Sequence, residues 1–222
     1  MMRFLPSTTE AELRQAILEC GRACYERRLL SSSDGNISVR LGDGGLLITA
    51  SGIAKGRMQP DDILQMDLEG DLLSPTPGRR ASSESAMHLE VYRQRPDVRA
   101  VIHAHPPFAT ALTVAGLEFP GDVLPEVMLA LGEVPVTPYA TSSSYHNADA
   151  IRPFIKAHDA LLLSQHGSLT VGRDLEQALN NLERLESVAE VFWLARMLGD
   201  VKRIPPAALE ELIAIRGRLF GT

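Results

Sequence analysis

Cysteine is nearly absent: the chain has two in 222 residues, Cys20 and Cys24, four apart in a helical pattern. That excludes a disulfide framework and points to reduced thiols in a cytoplasmic protein. A metal site built on the pair would need a third soft ligand, and none lies nearby in the sequence. Basic residues are outnumbered, with 22 Lys and Arg against 28 Asp and Glu and a formal net charge of −6. With no basic field to neutralise phosphates, nucleic acid is not expected as a partner. No apolar run approaches the roughly 20 residues of a membrane-spanning helix, so no membrane partner is expected either. The first residues lack the charged-then-apolar pattern of a secretion signal, which again reads as cytoplasmic. Internal repeats, low-complexity tracts and any linker long enough to divide the chain are missing too, and residues 1–222 read as one domain. A chain of this length buries roughly 70% of its unfolded surface, enough for a substantial core.

Helical and extended patterns alternate along what is there. Thr8 or Thr9 with Glu12 signals a helix start, and Leu13, Ile17, Cys20 and Cys24 continue at helical spacing to about Leu29. Residues 31–36 form a polar turn. Residues 37–41 and 46–49, joined by a Gly-rich turn, read as a hairpin, and residues 61–67 as a turn leading into a further strand. Ser82-Ser83-Glu84 opens a helix to about Arg95, which Pro96 stops. Residues 98–105 are an apolar strand broken by Pro106-Pro107, with short helices over 108–115 and 126–131 in Pro- and Gly-punctuated surroundings. Residues 148–156 read as a helix despite Pro153, 160–164 as a compact apolar strand with 168–171 as its neighbour, and 174–198 and about 206–219 as helices. Strands in the middle with helices around them, joined by hairpin-length turns, predict an α+β layer with a largely antiparallel sheet.

The chemistry-bearing residues lie at the ends of these strands. His103 and His105 sit two apart in the apolar run, and side chains on a strand alternate, so both face the same way. A lone histidine there would more simply face the core and bond a carbonyl; a same-face pair at a strand end is half of a metal site. His166 ends the second apolar strand and is followed by Gly167, expected to permit a sharp turn. Three histidines leave open positions for substrate oxygens, as a catalytic metal requires. Glu84, at a helix start where the dipole favours the ionised form, reads either as part of that start or as a general acid/base or fourth ligand. Asp34-Gly35-Asn36, Ser51-Gly52 and Ser82-Ser83 are loops of the kind that bind phosphate oxygens without a basic patch, though each is also ordinary turn chemistry. His88, one turn after Glu84, reads as packed or supporting; His146 and His158 as surface or loop residues. Glu176, Glu183, Arg184, Glu186 and Glu190 read as a solvated helix face.

Taken in order, Gly35-Asn36-Ile37-Ser38, residues 48–52, Ser82-Ser83-Glu84 with Met87-His88, His103-Ala104-His105-Pro106, Pro138-Tyr139-Ala140 and Gln165-His166-Gly167 resemble the class II aldolase/adducin family, and most of all its L-fuculose-1-phosphate aldolase-like branch. The resemblance runs from about Ala11 to Leu198. It implies a three-layer α/β/α domain with a central, largely antiparallel sheet, and a homotetramer with active sites at subunit interfaces. It implies one divalent metal ion per chain, zinc first, with manganese, cobalt or magnesium as alternatives. His103, His105 and His166 would be its ligands, and Glu84 both a resting-state ligand and the proton carrier. Asn36, Ser51, Gly52, Ser82 and Ser83 would bind the phosphate and ketone of a small sugar phosphate. The implied activity is that of a metal-dependent carbon–carbon lyase working through a metal-stabilised enediolate. Aldol cleavage is the leading reaction. Decarboxylation of a keto sugar acid phosphate and 4-epimerisation are alternatives on the same site. A non-catalytic adducin-like module would be expected to lose the histidines and carry long tails, whereas this chain keeps all three histidines.

The chain also departs from that branch. Residues 121–126 contain no tyrosine where the branch has a proton donor, Phe220 stands where its C-terminal tyrosine is sought, and Ala50 replaces a proline. Glu126 is a possible new polar group there, or an ordinary capping carboxylate.

Overall fold

The structure is a computed structural model that describes residues 9–42, 44–141 and 146–220. Helix α1 (Glu10–Glu26) opens on a capping box: the Thr9 side chain accepts from the Glu12 N–H, and the Glu12 carboxylate accepts from the Thr9 N–H at 2.7 Å. Leu13, Ala16, Ile17, Cys20 and Cys24 form its buried face. Strands β1 (Asn36–Arg40), β2 (Leu46–Thr49) and β3 (Ile63–Met66) follow, then helix α2 (Ser85–Gln94) and strand β4 (Ala100–Ala104). Helices α3 (Pro107–Val114) and α4 (Pro125–Ala130), strand β5 (Val136–Thr137) and helix α5 (His146–Ile151) lead to strands β6 (Ala160–Leu163) and β7 (Gly167–Gly172). Helices α6 (Leu175–Leu198) and α7 (Pro206–Phe220) complete the described chain.

The strands form one seven-stranded sheet in the order β3-β2-β1-β4-β7-β6-β5, antiparallel throughout except for the β5–β6 pair. Strand alternation divides it into two faces. Ile37, Val39, Ala100, Ile102 and Ala104 pack with α1 and the start of α6, while Val101, Leu161, Leu163, Leu169 and Val171 pack with α2 and α5. Helices therefore cover both faces of a mainly antiparallel sheet, the three-layer arrangement expected. This explains why β4 and β6 read as continuous apolar runs: neither face meets water.

Three details differ from the sequence expectations. Helix α5 ends at Ile151, because proline disfavours helical backbone in the residue before it and Pro153 has no N–H to donate; residues 152–157 continue as turns. Strand β5 was not foreseen: two residues between Pro135 and Pro138, paired on an edge, are too short for any periodicity to register. At the β6–β7 turn the left-handed residue is Gln165, at φ 53°, and not Gly167. Gly167 is required for space, since a Cβ there would sit 2.4 Å from the Ala104 carbonyl oxygen and 2.8 Å from His105 Cδ2.

Candidate metal centre

The register of β4 aims its histidines. His103 follows Val101 on the face covered by α2, is fully buried, and donates from Nδ1 to the Ser168 carbonyl of β7 at 2.9 Å. That bond leaves Nε2 as the free coordinating atom and fixes the ring. His105 lies just past the strand, anchored by its N–H to the Leu29 carbonyl at 3.2 Å. His166 comes from the β6–β7 turn, which antiparallel pairing of β7 with β4 brings beside them. The three ring centroids are 4.7–5.0 Å apart.

Glu84 completes the cluster from the opposite side. It occupies the residue before α2 but makes no side-chain cap bond; its carboxylate turns to the histidines. Oε1 lies 3.1 Å from His166 Nε2 and Oε2 lies 3.4 Å from His103 Nε2. Burial pushes its pKa up, but the His166 hydrogen bond, the attraction of the His103 ring once acid has protonated it and the Asn36 amide outweigh that and hold the carboxyl well below its usual range. Burial pushes both His103 and His105 down to about 4, so both are neutral near pH 7, the state a ligand requires.

The donor set fits a divalent cation. His103, His105 and His166 each offer a nitrogen, and these atoms lie within 4.8 Å of one another. The Nε2 atoms of His103 and His105 face each other at 3.0 Å. Since Nδ1 of His103 donates to Ser168, neutral His103 presents a lone pair there, suited to a shared cation.

The polar loops reach the same place unequally. Asn36, buried at the start of β1, donates from Nδ2 to Glu84 Oε2 at 2.9 Å and to Ser82 Oγ at 3.3 Å, while its Oδ1 lies 2.5 Å from His88 Nε2. Ser82 Oγ also accepts from the Glu84 N–H at 3.2 Å. The loop before Asn36 is pressed on β4: Gly35 has φ +68°, and a Cβ there would lie 2.6 Å from the His103 carbonyl oxygen. Ser51 donates its N–H to the Arg80 carbonyl at 3.0 Å, Gly52 is exposed with φ +75°, and Ser83 is exposed. Glu126 is exposed in the first turn of α4; the side chain of Phe220 lies outside the described residues.

Sequence reasoning missed several supporting residues. Lys55 is buried and donates to the Ser33 and Ile53 carbonyls at 2.9 and 2.8 Å, joining the loop before Asn36 to the loop after Ser51-Gly52. Glu186 does not belong to a solvated face. Its carboxylate accepts the N–H groups of Phe108 and Ala109 at 3.0 and 2.8 Å, capping α3 directly after His105-Pro106. Tyr92, buried with its hydroxyl 2.7 Å from Ser38 Oγ, did leave a signal, because Glu84, His88 and Tyr92 recur every fourth residue.

Known proteins resemble this chain over most of its length. Residues 15–193 match the class II aldolase and adducin N-terminal domain model. The chain belongs to the class II aldolase/adducin family. It is similar to a 5-methylthioribulose-1-phosphate/5-deoxyribulose-1-phosphate aldolase of Rhodospirillum rubrum, 31% identical over 90% of this chain and 89% of that one. A 3-oxo-tetronate 4-phosphate decarboxylase of Escherichia coli K12 is 32% identical over 86% and 89%. A methylthioribulose-1-phosphate dehydratase of Methylococcus capsulatus is 35% identical over 88% and 98%. Among solved structures, an L-fuculose 1-phosphate aldolase superposes with a TM-score of 0.84 at 29% identity, covering 93% of this chain and 97% of that one.

Proposed function

We propose that the chain is a metal-dependent carbon–carbon lyase that cleaves a small hydroxy-ketone, a sugar phosphate, by a retro-aldol reaction. The observation that carries this reading is the convergence of three imidazole nitrogens and an ionised Glu84 carboxylate on one point. His103, His105 and His166 would hold one divalent ion, zinc first. Such an ion supplies Lewis acidity, stabilising negative charge that develops on neighbouring substrate oxygens.

The chain's own groups supply the rest. Breaking the bond between the carbon next to the ketone and the hydroxyl-bearing carbon beyond it takes the proton from that hydroxyl, releases an aldehyde and leaves an enediolate, whose carbon must then gain a proton. Glu84 would carry a proton on Oε1 or Oε2 from that hydroxyl to the enediolate carbon, with its carboxylate oriented by the hydrogen bond from Asn36 Nδ2. Ser82 beside Glu84, with Ser51, Gly52, Ser83 and the Asn36 loop, forms the candidate phosphate and ketone pocket. The described helices include none long and apolar enough to cross a membrane. Free, buried Cys20 and Cys24 support a cytoplasmic setting. A homotetramer is the assembly we infer.

Decarboxylation of a keto sugar acid phosphate is the second reading. It is favoured by the lack of any tyrosine in residues 121–126, because a carboxylate loses carbon dioxide with no hydroxyl proton to remove, whereas retro-aldol cleavage needs a group that takes one. A panel of ketose 1-phosphates and keto-acid phosphates, with aldehyde and carbon dioxide followed separately, tests both. Aldehyde without carbon dioxide is the expected result. Carbon dioxide without aldehyde would replace the aldolase reading with the second one.

A further inference from the structure

Behind Glu84 and Asn36 runs a buried line of polar side chains, Tyr92, Ser38 and His88, that no step of the proposed reaction uses. Tyr92 OH lies 2.7 Å from Ser38 Oγ, which lies 2.7 Å from His88 Nδ1. His88 Nε2 lies 2.5 Å from Asn36 Oδ1, and Asn36 Nδ2 lies 2.9 Å from Glu84 Oε2. Ser38 and His88 are fully buried, and Tyr92 and Asn36 are each 2% exposed. The line therefore has no solvent to satisfy a misdirected donor.

The direction of every bond follows from its two ends. An ionised carboxylate only accepts, so the Asn36 amide must turn Nδ2 toward Glu84. That places Oδ1, which also only accepts, against His88, so His88 Nε2 must carry the hydrogen. Burial pushes His88 down to about 4, hence its ring is neutral near pH 7 and Nδ1 is a lone pair. Ser38 must then donate to Nδ1, and its oxygen accepts the Tyr92 hydroxyl. The bonds run one way, from Tyr92 to Glu84.

We propose that Tyr92, Ser38 and His88 are positioning residues that lock the Asn36 amide with its N–H toward Glu84, holding the carboxylate in the orientation its proton transfer needs. Reversal of the amide would aim a carbonyl oxygen at the carboxylate and leave His88 Nε2–H without an acceptor, a costly state in a dry site. The sheet and α2 make this possible together. Asn36, Ser38 and Arg40 form the polar face of β1 that meets α2, while Glu84, His88 and Tyr92 lie one helical turn apart along it. The role assigned to Glu84 rests on the proposed function; the direction of the bonds does not.

Nitrogen-15 NMR of histidine-labelled, zinc-loaded protein reads the direction without any activity. His88 should be the neutral tautomer with hydrogen on Nε2 at pH 7; hydrogen on Nδ1 would overturn the proposal. Kinetics with the substrate found by the panel give the second readout. Supporting hydrogen-bond partners of this kind typically change activity about 10- to 100-fold, so His88→Leu should lower kcat about tenfold, with KM and metal content kept. His88→Gln, which can still donate to Asn36 Oδ1, should recover most of the loss. Should His88→Leu not fold, Tyr92→Phe removes only a hydroxyl and should lower kcat severalfold. Unchanged kcat in whichever variant folds would overturn the positioning role. If Glu84→Gln itself keeps full turnover, the proton-transfer reading fails and the positioning role fails with it, even where the NMR confirms the bond direction.

Discussion

His103 and Glu84 touch the same point but answer to different tests. His103 holds its ring by a bond to Ser168, and its loss removes one of the three ring nitrogens gathered there. His103→Ala should reduce bound divalent ion from about one per chain to a small fraction, measured by elemental analysis of purified protein; full occupancy would remove the ligand assignment. Glu84→Gln keeps the size and the contact with Asn36 while deleting the proton carrier. It should retain the fold, read by circular dichroism, and lose about 10²- to 10⁴-fold in kcat, the usual worth of a general acid or base. At this scale the sequence was most informative about residues whose type is itself the signal: histidines two apart on a strand, and an acid at a helix start. Lys55 and Glu186 left no such trace, because their partners are backbone groups, which every residue possesses.

Elements matter here through their junctions. His105 lies between the end of β4 and the start of α3, and Glu186 of α6 caps that start with two hydrogen bonds. Glu186→Ala would leave the N–H groups of Phe108 and Ala109 without their acceptor. A loss of about 1–3 kcal/mol is expected, seen as a lower denaturant midpoint with an unchanged slope. Metal affinity should fall with it, since the same junction carries His105; an unaltered midpoint would mean that solvent replaces the cap. The long helices and central strands were readable because their patterns repeat over many residues. Strand β5 and the shortened α5 were not, because two-residue pairing and a proline break leave almost no pattern.

At the scale of the molecule, the sheet gathers residues 36, 84, 103, 105 and 166 to one end of β4. The outer surface then presents a cluster of exposed apolar side chains late in α6: Val191, Trp193, Leu194, Met197 and Leu198, the last 91% exposed. Apolar area of this kind marks association surfaces. Light scattering should report a particle of about four chains of 24.2 kDa each. A mass of a single chain at micromolar concentration would remove the tetramer.

Local order along the chain was enough to establish the helices, the two-sided apolar strands, the histidine pair and the family motifs, because each depends on neighbours within a turn or a strand. It could not establish that Asn36 belongs to Glu84, that Glu186 caps the helix after His105, or that a line of hydrogen bonds reaches Tyr92. Those contacts join residues 48, 78 and 54 positions apart, across β1 to α2 and α3 to α6. Antiparallel register and the packing of helices onto both sheet faces create them. Hydrogen-bond direction in a dry interior depends on every partner at once, so it exists only after the layers have closed.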